Sequence, residues 1–308
     1  MGDRALPEAS QLSDRARWSV SRDRLERLFQ SNDDDPWGHN FRAVEQCRHD
    51  RIIRMAAEYA LRNPNGSSGT KILDVGCATG DLTSRLYELA SNVIGIDCSE
   101  TAIKRAKDKF KHIEFRVGAL PDADLEKESF GLITCCECLY YIDTAAQTEF
   151  LSELRRLLTK DGCAIVTSLV GPKPYFTSDD LVATLCESFA VDRVEYYGSR
   201  LFAKCEQTCF RCYRNITRVQ RFLRMDREEL QRELANVNTE SGRAVLVGSL
   251  FISRWPACGR LMEVLLSALN QIIRCGLEVR VPARAVDFIS RKLSLKGSHT
   301  LVLVSAKQ

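Results

Sequence analysis

At 308 residues the chain is longer than one minimal α/β domain needs, so one elaborated domain or two unequal ones are expected. Its 44% hydrophobic and 28% charged content, with a net charge of only +3, is ordinary for a soluble globular protein. No apolar run reaches the ~18–20 residues of a membrane span, and residues 1–17 lack an apolar signal core. The 13 cysteines therefore read as reduced thiols rather than a secreted disulfide framework, which places the protein in the cytoplasm. Met1-Gly2 does not open a myristoylation motif, because the sixth position is Leu6 rather than serine or threonine.

Residues 1–20 are polar, without periodicity, and read as a flexible arm. Over 20–30, Leu25, Leu28 and Phe29 share one helical stripe, which the acidic run ending at Pro36 breaks. Trp37 and Phe41 then precede a longer amphipathic helix over 43–61, ended by Asn63-Pro64-Asn65-Gly66. The run Ile72-Leu73-Asp74-Val75 predicts a buried strand entering a small-residue turn, Gly76 to Gly80, and then a helix that Asp81 can cap. A strand passing through a glycine turn into a helix is how open α/β sheets present backbone to a nucleotide. A missing Cβ at Gly76 and Gly80 permits unusual dihedrals and lets a ligand lie against the main chain. The spacing is GxxxG rather than GxGxxG and no phosphate-loop lysine follows, so a cofactor without phosphates fits better.

A second apolar run, 92–97, ends in Asp97, about twenty residues past the turn, where such a sheet places a carboxylate to accept from ribose hydroxyls. Helices over 101–110, 144–158 and 178–189 alternate with strands over 112–117, 130–136, 162–169 and 190–197. Alternation predicts a parallel sheet with its ligand at the carboxyl ends of the strands. The fourth strand ends at Cys135-Cys136-Glu137-Cys138, which brings Glu137, Tyr140 and Tyr141 to the cleft. Two readings of Glu137 stand: a site residue, or a partly buried carboxylate paired with an arginine for structural reasons. Adjacent cysteines on a strand face opposite sides, so Cys135 and Cys136 read as core packing.

In order, LDVGCATG, GIDCSE, FGLITCCECLYYI and LLTKDGCAIVTSLV resemble the successive motifs of class I S-adenosylmethionine-dependent methyltransferases, over residues 34–198 and again in the last ten. The resemblance implies a Rossmann-like, mostly parallel α/β sheet of seven strands, with an N-terminal helical lid and a helical insertion before the last strand. It implies S-adenosylmethionine as cofactor, held at Asp74, Gly76, Cys77 and Gly80 in the first motif and at Asp97 and Cys98 in the second. Ala78 stands where many members have glycine, and Gly118 where many have an acid facing the adenine; that contact then falls to Asp122 or to backbone at Ala119 and Leu120. The segment 34–46, DDPWGHNFRAVEQ, is similar to the pre-core segment of nodulation-type N-methyltransferases, as ECLYYI is to their fourth motif. That branch has Tyr-Glu where this chain has Val44-Glu45, and its following basic position corresponds to Arg48. By this resemblance the segment folds over the cofactor, with Trp37 near the methyl donor and Arg48 meeting the methionine carboxylate; the other reading makes Trp37 a plug for the helix behind it. Glu137 completes the cofactor set.

The expected organisation is an arm and short helix over 1–33, a cofactor-binding domain over 34–198 with 299–308, and a mainly helical insertion or cap over 199–298. The terminal run 299–306 suits a buried last strand; a rival placement at 199–204 would make the remainder an appended domain. Within the insertion, helices are expected over 214–236, 259–275 and 282–293, with an apolar stretch over 244–252. Arg211, Arg214, Arg218 and Arg221 recur at helical spacing, either a solvated face or a hold for an anionic substrate or nucleic acid. Cys205, Cys209 and Cys212 spell CxxxCxxC, but an iron–sulfur enzyme of that spacing needs a barrel after the motif, zinc needs a fourth ligand, and no metal is expected.

Methyl transfer is an in-line displacement from an activated leaving group, so catalysis is mainly by positioning and water exclusion. A hydroxyl acceptor calls for a base and an amine does not, which favours nitrogen on a small molecule. His39 is the histidine nearest the expected cleft, and Tyr140 and Tyr141 are candidates to orient the acceptor. RNA or protein methylation using the basic insertion, and a non-catalytic cofactor-binding regulator, are the competing readings; nucleic acid is disfavoured because the fourth motif lacks (D/N)PP(Y/F).

Overall fold

A computed structural model describes residues 14–31, 35–62, 70–171, 174–198, 200–226, 228–229, 232, 256–278 and 299–306. Its strands β1 (Ile72–Val75), β2 (Val93–Asp97), β3 (Glu114–Val117), β4 (Phe130–Cys136), β5 (Leu158–Leu169), β6 (Phe189–Tyr197) and β7 (His299–Ala306) form one sheet in the order β3-β2-β1-β4-β5-β7-β6. All neighbours pair in parallel except β7, which runs antiparallel between β5 and β6. The order reverses between β1 and β4, and the crevice at that switch point is where open α/β sheets bind ligands.

The helices are α1 (Asp14–Ser31), α2 (Ala43–Arg62), α3 (Asp81–Tyr87), α4 (Glu100–Lys109), α5 (Thr144–Leu157), α6 (Ser178–Ser188), α7 (Arg200–Arg224) and α8 (Pro256–Glu278). Residues 200–204, the rival seventh strand, are the first turn of α7, and the last strand is the terminal run. The helix expected over 214–236 is instead α7, fourteen residues earlier in its start; the segments 233–255 and 279–298, with the expected elements over 244–252 and 282–293, lie outside the described residues. The first helix begins at Asp14, within what reads as an arm, because it is anchored further along by a buried Phe29 and by Glu26. β5 also starts earlier than its apolar run, pairing Phe130 with Leu158 before a register shift admits the polar residues ahead of Gly162.

Strand alternation divides the core between the two faces of the sheet. Leu73, Val75, Ile94 and Ile133 pack with Leu154 of α5 and Leu181 of α6. Ile72, Val93 and Leu132 pack with Ile52 and Met55 of α2 and Leu82 and Leu86 of α3. Cys135 belongs to the first face and Cys136 to the second, the split expected of adjacent strand residues. Ser99, Asp143 and Thr177 cap α4, α5 and α6 through their side chains. Asp81 does not cap α3: the N-cap is Gly80, in a left-handed conformation at φ 82°, and Asp81 lies inside the first turn, accepting from Thr79 Oγ1 at 2.8 Å.

A second compact unit comprises residues 41–44 and 200–285. Within it Arg42 pairs with Glu206 and lies 4.4 Å over the Phe210 ring, while Phe41 packs on Tyr213 at 5.2 Å. Asn270 of α8 donates to Thr217 Oγ1 of α7 at 2.9 Å. Among the described residues no helix is long and apolar enough to cross a membrane.

Candidate active site

The turn leaving β1 is strained. Gly76, Ala78 and Gly80 have φ of 73°, 48° and 82°, and for alanine this region costs roughly 1–2 kcal/mol. What holds it is Asp97, at the end of β2. One carboxylate oxygen accepts from Ala78 N at 3.0 Å and the other from Ser99 N at 2.9 Å, tying the turn to the start of α4. Burial raises the Asp97 carboxyl above its usual range, with the two N–H groups opposing the rise. Asp74 is buried beside it, accepting from Thr83 Oγ1 at 2.6 Å and Thr134 Oγ1 at 2.7 Å; burial raises its carboxyl too.

The space expected for a ligand at the two glycines is taken by protein. A Cβ on Gly76 would lie 2.1 Å from Cys138 Sγ, and one on Gly80 would lie 2.6 Å from the Phe115 ring. Both positions need glycine for packing and for positive φ. Cys77 turns its thiol into the cluster of Ile103 and Phe115, and Leu120 is fully in the core, so each offers only backbone. Cys98 is partly buried beside Asp97, which with burial pushes its thiol up to about 12. Ala119 is half-buried and Asp122 exposed.

The segment before the core covers the turn. Phe29, Ala78 and Ala102 form a buried cluster against which Trp37 packs, edge-on to Phe29 at 5.1 Å and stacked on His39 at 5.7 Å. Trp37 is thus packed at the glycine turn and seals α1 onto it. Glu26 of α1 accepts from Ser99 Oγ at 2.6 Å and from both the hydroxyl and N–H of Thr101. Burial alone would raise the Glu26 carboxyl, but these hydrogen bonds bring it below its usual range. A depressed acid stabilises the docked form above the ordinary glutamate range and loses that contribution as pH falls through its folded value. Glu26→Gln should therefore increase proteolytic cleavage near α1 at neutral pH to the level the native protein reaches only in acid. Equal cleavage rates at both pH values would remove Glu26 as the latch.

Arg48 lies at the centre of a buried ionic group. Its guanidinium is 2.6 Å from Glu45 and 3.4 Å from Glu137, with side chains only 5%, 10% and 12% exposed. Burial alone would lower the guanidinium, but the two carboxylates carry it above its usual range. Glu137 has a left-handed φ of 57°, held by hydrogen bonds in which its carboxylate accepts from Thr167 Oγ1 at 3.0 Å and Leu169 N at 2.8 Å. Glu137 thus sits at the carboxyl end of β4 as a partly buried carboxylate paired with an arginine. His39 is 3.9 Å from Glu45, and its ring is 5.8 Å from that of His49. Burial, reinforced by Arg48 and His39, pushes His49 well below the usual imidazole range, so it is neutral at physiological pH. Tyr140 is half-buried, its ring 4.7 Å from that of Tyr141 and 4.9 Å from that of Tyr175; desolvation beside these rings pushes the Tyr141 phenol up to about 12.

Glu45, His49, Tyr175 and Tyr197 join the group without having been singled out as site residues. Glu45, Arg48 and His49 do carry a signal, since positions i, i+3 and i+4 share one helix face. Nothing local marks Tyr197, which reaches the group only because β6 lies on the same side of the sheet. Cys209 and Cys212 are exposed on α7, and among the described residues no group of three or more His, Cys, Asp or Glu is placed to hold a metal.

The sheet order with its antiparallel β7, the glycine turn after β1 and the acid ending β2 define the class I S-adenosylmethionine-dependent methyltransferase fold. A family model described as a methyltransferase domain matches residues 66–238, more than half of the chain. The chain belongs to this methyltransferase family, an enzyme family whose methyl donor in this class is S-adenosylmethionine. It is 30% identical over 143 residues to Nodulation protein S of Sinorhizobium fredii, covering 44% of this chain and 62% of that protein. It is 28% identical over 121 residues to the Ubiquinone biosynthesis O-methyltransferase of Actinobacillus pleuropneumoniae, covering 36% and 51%. The chain therefore spans less than two thirds of the length of these curated relatives. Among solved structures, the N-methyltransferase NodS of Bradyrhizobium japonicum, in complex with S-adenosyl-l-homocysteine, aligns with a TM-score of 0.50 at 23% identity, over 58% of this chain and 91% of that one.

Proposed function

We propose that this protein transfers the methyl group of S-adenosylmethionine to an amine nitrogen of a small molecule. The residues present fit that donor. Arg48 Nε and His49 Nδ1 are buried without a hydrogen-bond partner, and a buried unsatisfied donor or acceptor costs about 1–3 kcal/mol, which an amino-acid carboxylate or amine would relieve. Asp97 keeps lone pairs beyond the two that its N–H partners use, and these suit ribose hydroxyls. Trp37 and His39 close over the turn and exclude water. The bound donor supplies an activated methyl: the N–C bond forms as the S–C bond breaks, sulfur keeps the electron pair, and the displaced proton leaves nitrogen for solvent.

The observation that carries the amine reading is the charge of the buried group, in which Glu45 and Glu137 outnumber Arg48 by one. Surplus negative charge beside the donor's amino-acid end favours an acceptor that arrives as a base, and its nitrogen must give up its proton before it attacks. Tyr140 and Tyr141, whose burial keeps them protonated, are orienting groups rather than bases. RNA or protein methylation draws on exposed Arg211, Arg218 and Arg221 of α7 and predicts a different acceptor. A methyl-transfer screen over small amines, phenols, an RNA hairpin and a basic peptide, read by release of S-adenosylhomocysteine, separates the two. Turnover on amines is expected. Turnover confined to phenols, RNA or peptide would replace this reading, and tight cofactor binding without any turnover would make the protein a regulator.

A further inference from the structure

Tyr197, the last residue of β6, is 4% exposed, and its hydroxyl is buried with no hydrogen-bond partner. Folding does not leave such a donor unmet without cost, because the hydroxyl gives up its water. The ring is held rather than loose. It stacks on His299 of β7 at 5.0 Å and an interplanar angle of 13°, and the Arg51 guanidinium lies 5.1 Å over it. Arg51 is itself fixed by Glu195 at 3.2 Å. A clamped ring fixes where the hydroxyl points, and the arginine that lies over it, Arg51, is one turn along α2 from Arg48 of the ionic group. The sheet order puts β6 on the side of β4 away from β1 and β2, the strands that end in the glycine turn and in Asp97.

We infer that the Tyr197 hydroxyl is a specificity group for the methyl acceptor, donating a hydrogen bond to an oxygen carried beside the reacting nitrogen. The acceptor class is then a hydroxylated amine: the carboxylate-rich group suits its nitrogen and the phenol its hydroxyl. Burial keeps the phenol protonated, so it acts as a donor across the working pH range. A site built to pair with a substrate hydroxyl discriminates against the analogue that lacks it, because the protein group is left unpaired again. This inference rests on the amine methylation proposed above.

The test compares the native protein with Tyr197→Phe, using 2-aminoethanol and 2-amino-1,3-propanediol against ethylamine and propylamine, at saturating S-adenosylmethionine. The native protein should show a KM at least tenfold lower for the hydroxylated amines. Tyr197→Phe should abolish that preference through KM, leave the calorimetric Kd for the donor unchanged, and melt at the same or a higher temperature, since an unpaired hydroxyl has been removed. A purely structural tyrosine would instead lower the melting temperature and weaken all four amines alike, which overturns the inference. So does a preference that survives in the variant, or a native protein that binds the donor yet methylates none of the hydroxylated amines. Failure to bind the donor at all would strike the function proposed above, and this inference with it, and calorimetry tells that case apart.

Discussion

Asp97→Ala should weaken S-adenosylmethionine binding by about a hundredfold and lower the unfolding free energy by about 2–4 kcal/mol, the cost of losing two charge-assisted hydrogen bonds inside a buried loop. Both effects come from one carboxylate with two duties. It accepts from Ala78 N and Ser99 N, holding a turn whose alanine has positive φ, and the proposed ribose contact would draw on its remaining acceptor capacity. Asp97→Asn separates the duties. The amide oxygen still accepts one N–H, but its NH2 leaves the other N–H unpaired and cannot accept from a hydroxyl, so only part of the stability should return while the affinity does not. Isothermal calorimetry and chemical denaturation on both variants read the two quantities independently. Native affinity in Asp97→Asn would take Asp97 out of the cofactor site and leave it as a brace for the turn.

Arg48→Met should destabilise the protein by about 3–5 kcal/mol at neutral pH, because it leaves two buried carboxylates without their shared cation. The direction with pH follows from linkage. Without Arg48, the buried Glu45 and Glu137 bind protons more readily in the folded than in the unfolded chain, so the variant regains stability relative to the native protein as pH falls. Denaturation midpoints at neutral pH and at pH about 5 should therefore converge between the two proteins. The triple variant Arg48→Met, Glu45→Gln, Glu137→Gln should recover much of the neutral-pH loss, since it removes the unpaired charges together. A loss of under 1 kcal/mol in Arg48→Met, independent of pH, would mean that water reaches the group and that it does not act as a buried cluster.

Local pattern was enough for the sheet and its ligand edge. The run Ile72–Val75, the small-residue turn behind it and the acid closing Val93–Asp97 each lie within a few residues, and a short continuous apolar run bounded by turn chemistry decides such segments without distant help. Local pattern also placed the final strand at the chain's end, because a run of Leu301, Val302 and Val304 with no polar break can only be stable inside a sheet.

Tertiary structure decided what the side chains around that edge do. The sequence shows Gly76 and Gly80 as small; only packing reveals that Cys138 and Phe115 fill the space, since those contacts span β4 and β3. Asp81 has the chemistry of a cap, yet the left-handed turn gives that position to Gly80. Most of all, Glu45, Arg48, His49, Glu137 and Tyr197 come from α2, β4 and β6, and the charge one of them carries depends on how deeply the others are buried. Chain order fixes which residues can meet at the carboxyl edge, but electrostatic character arises from distance and desolvation, which exist only once the elements have packed.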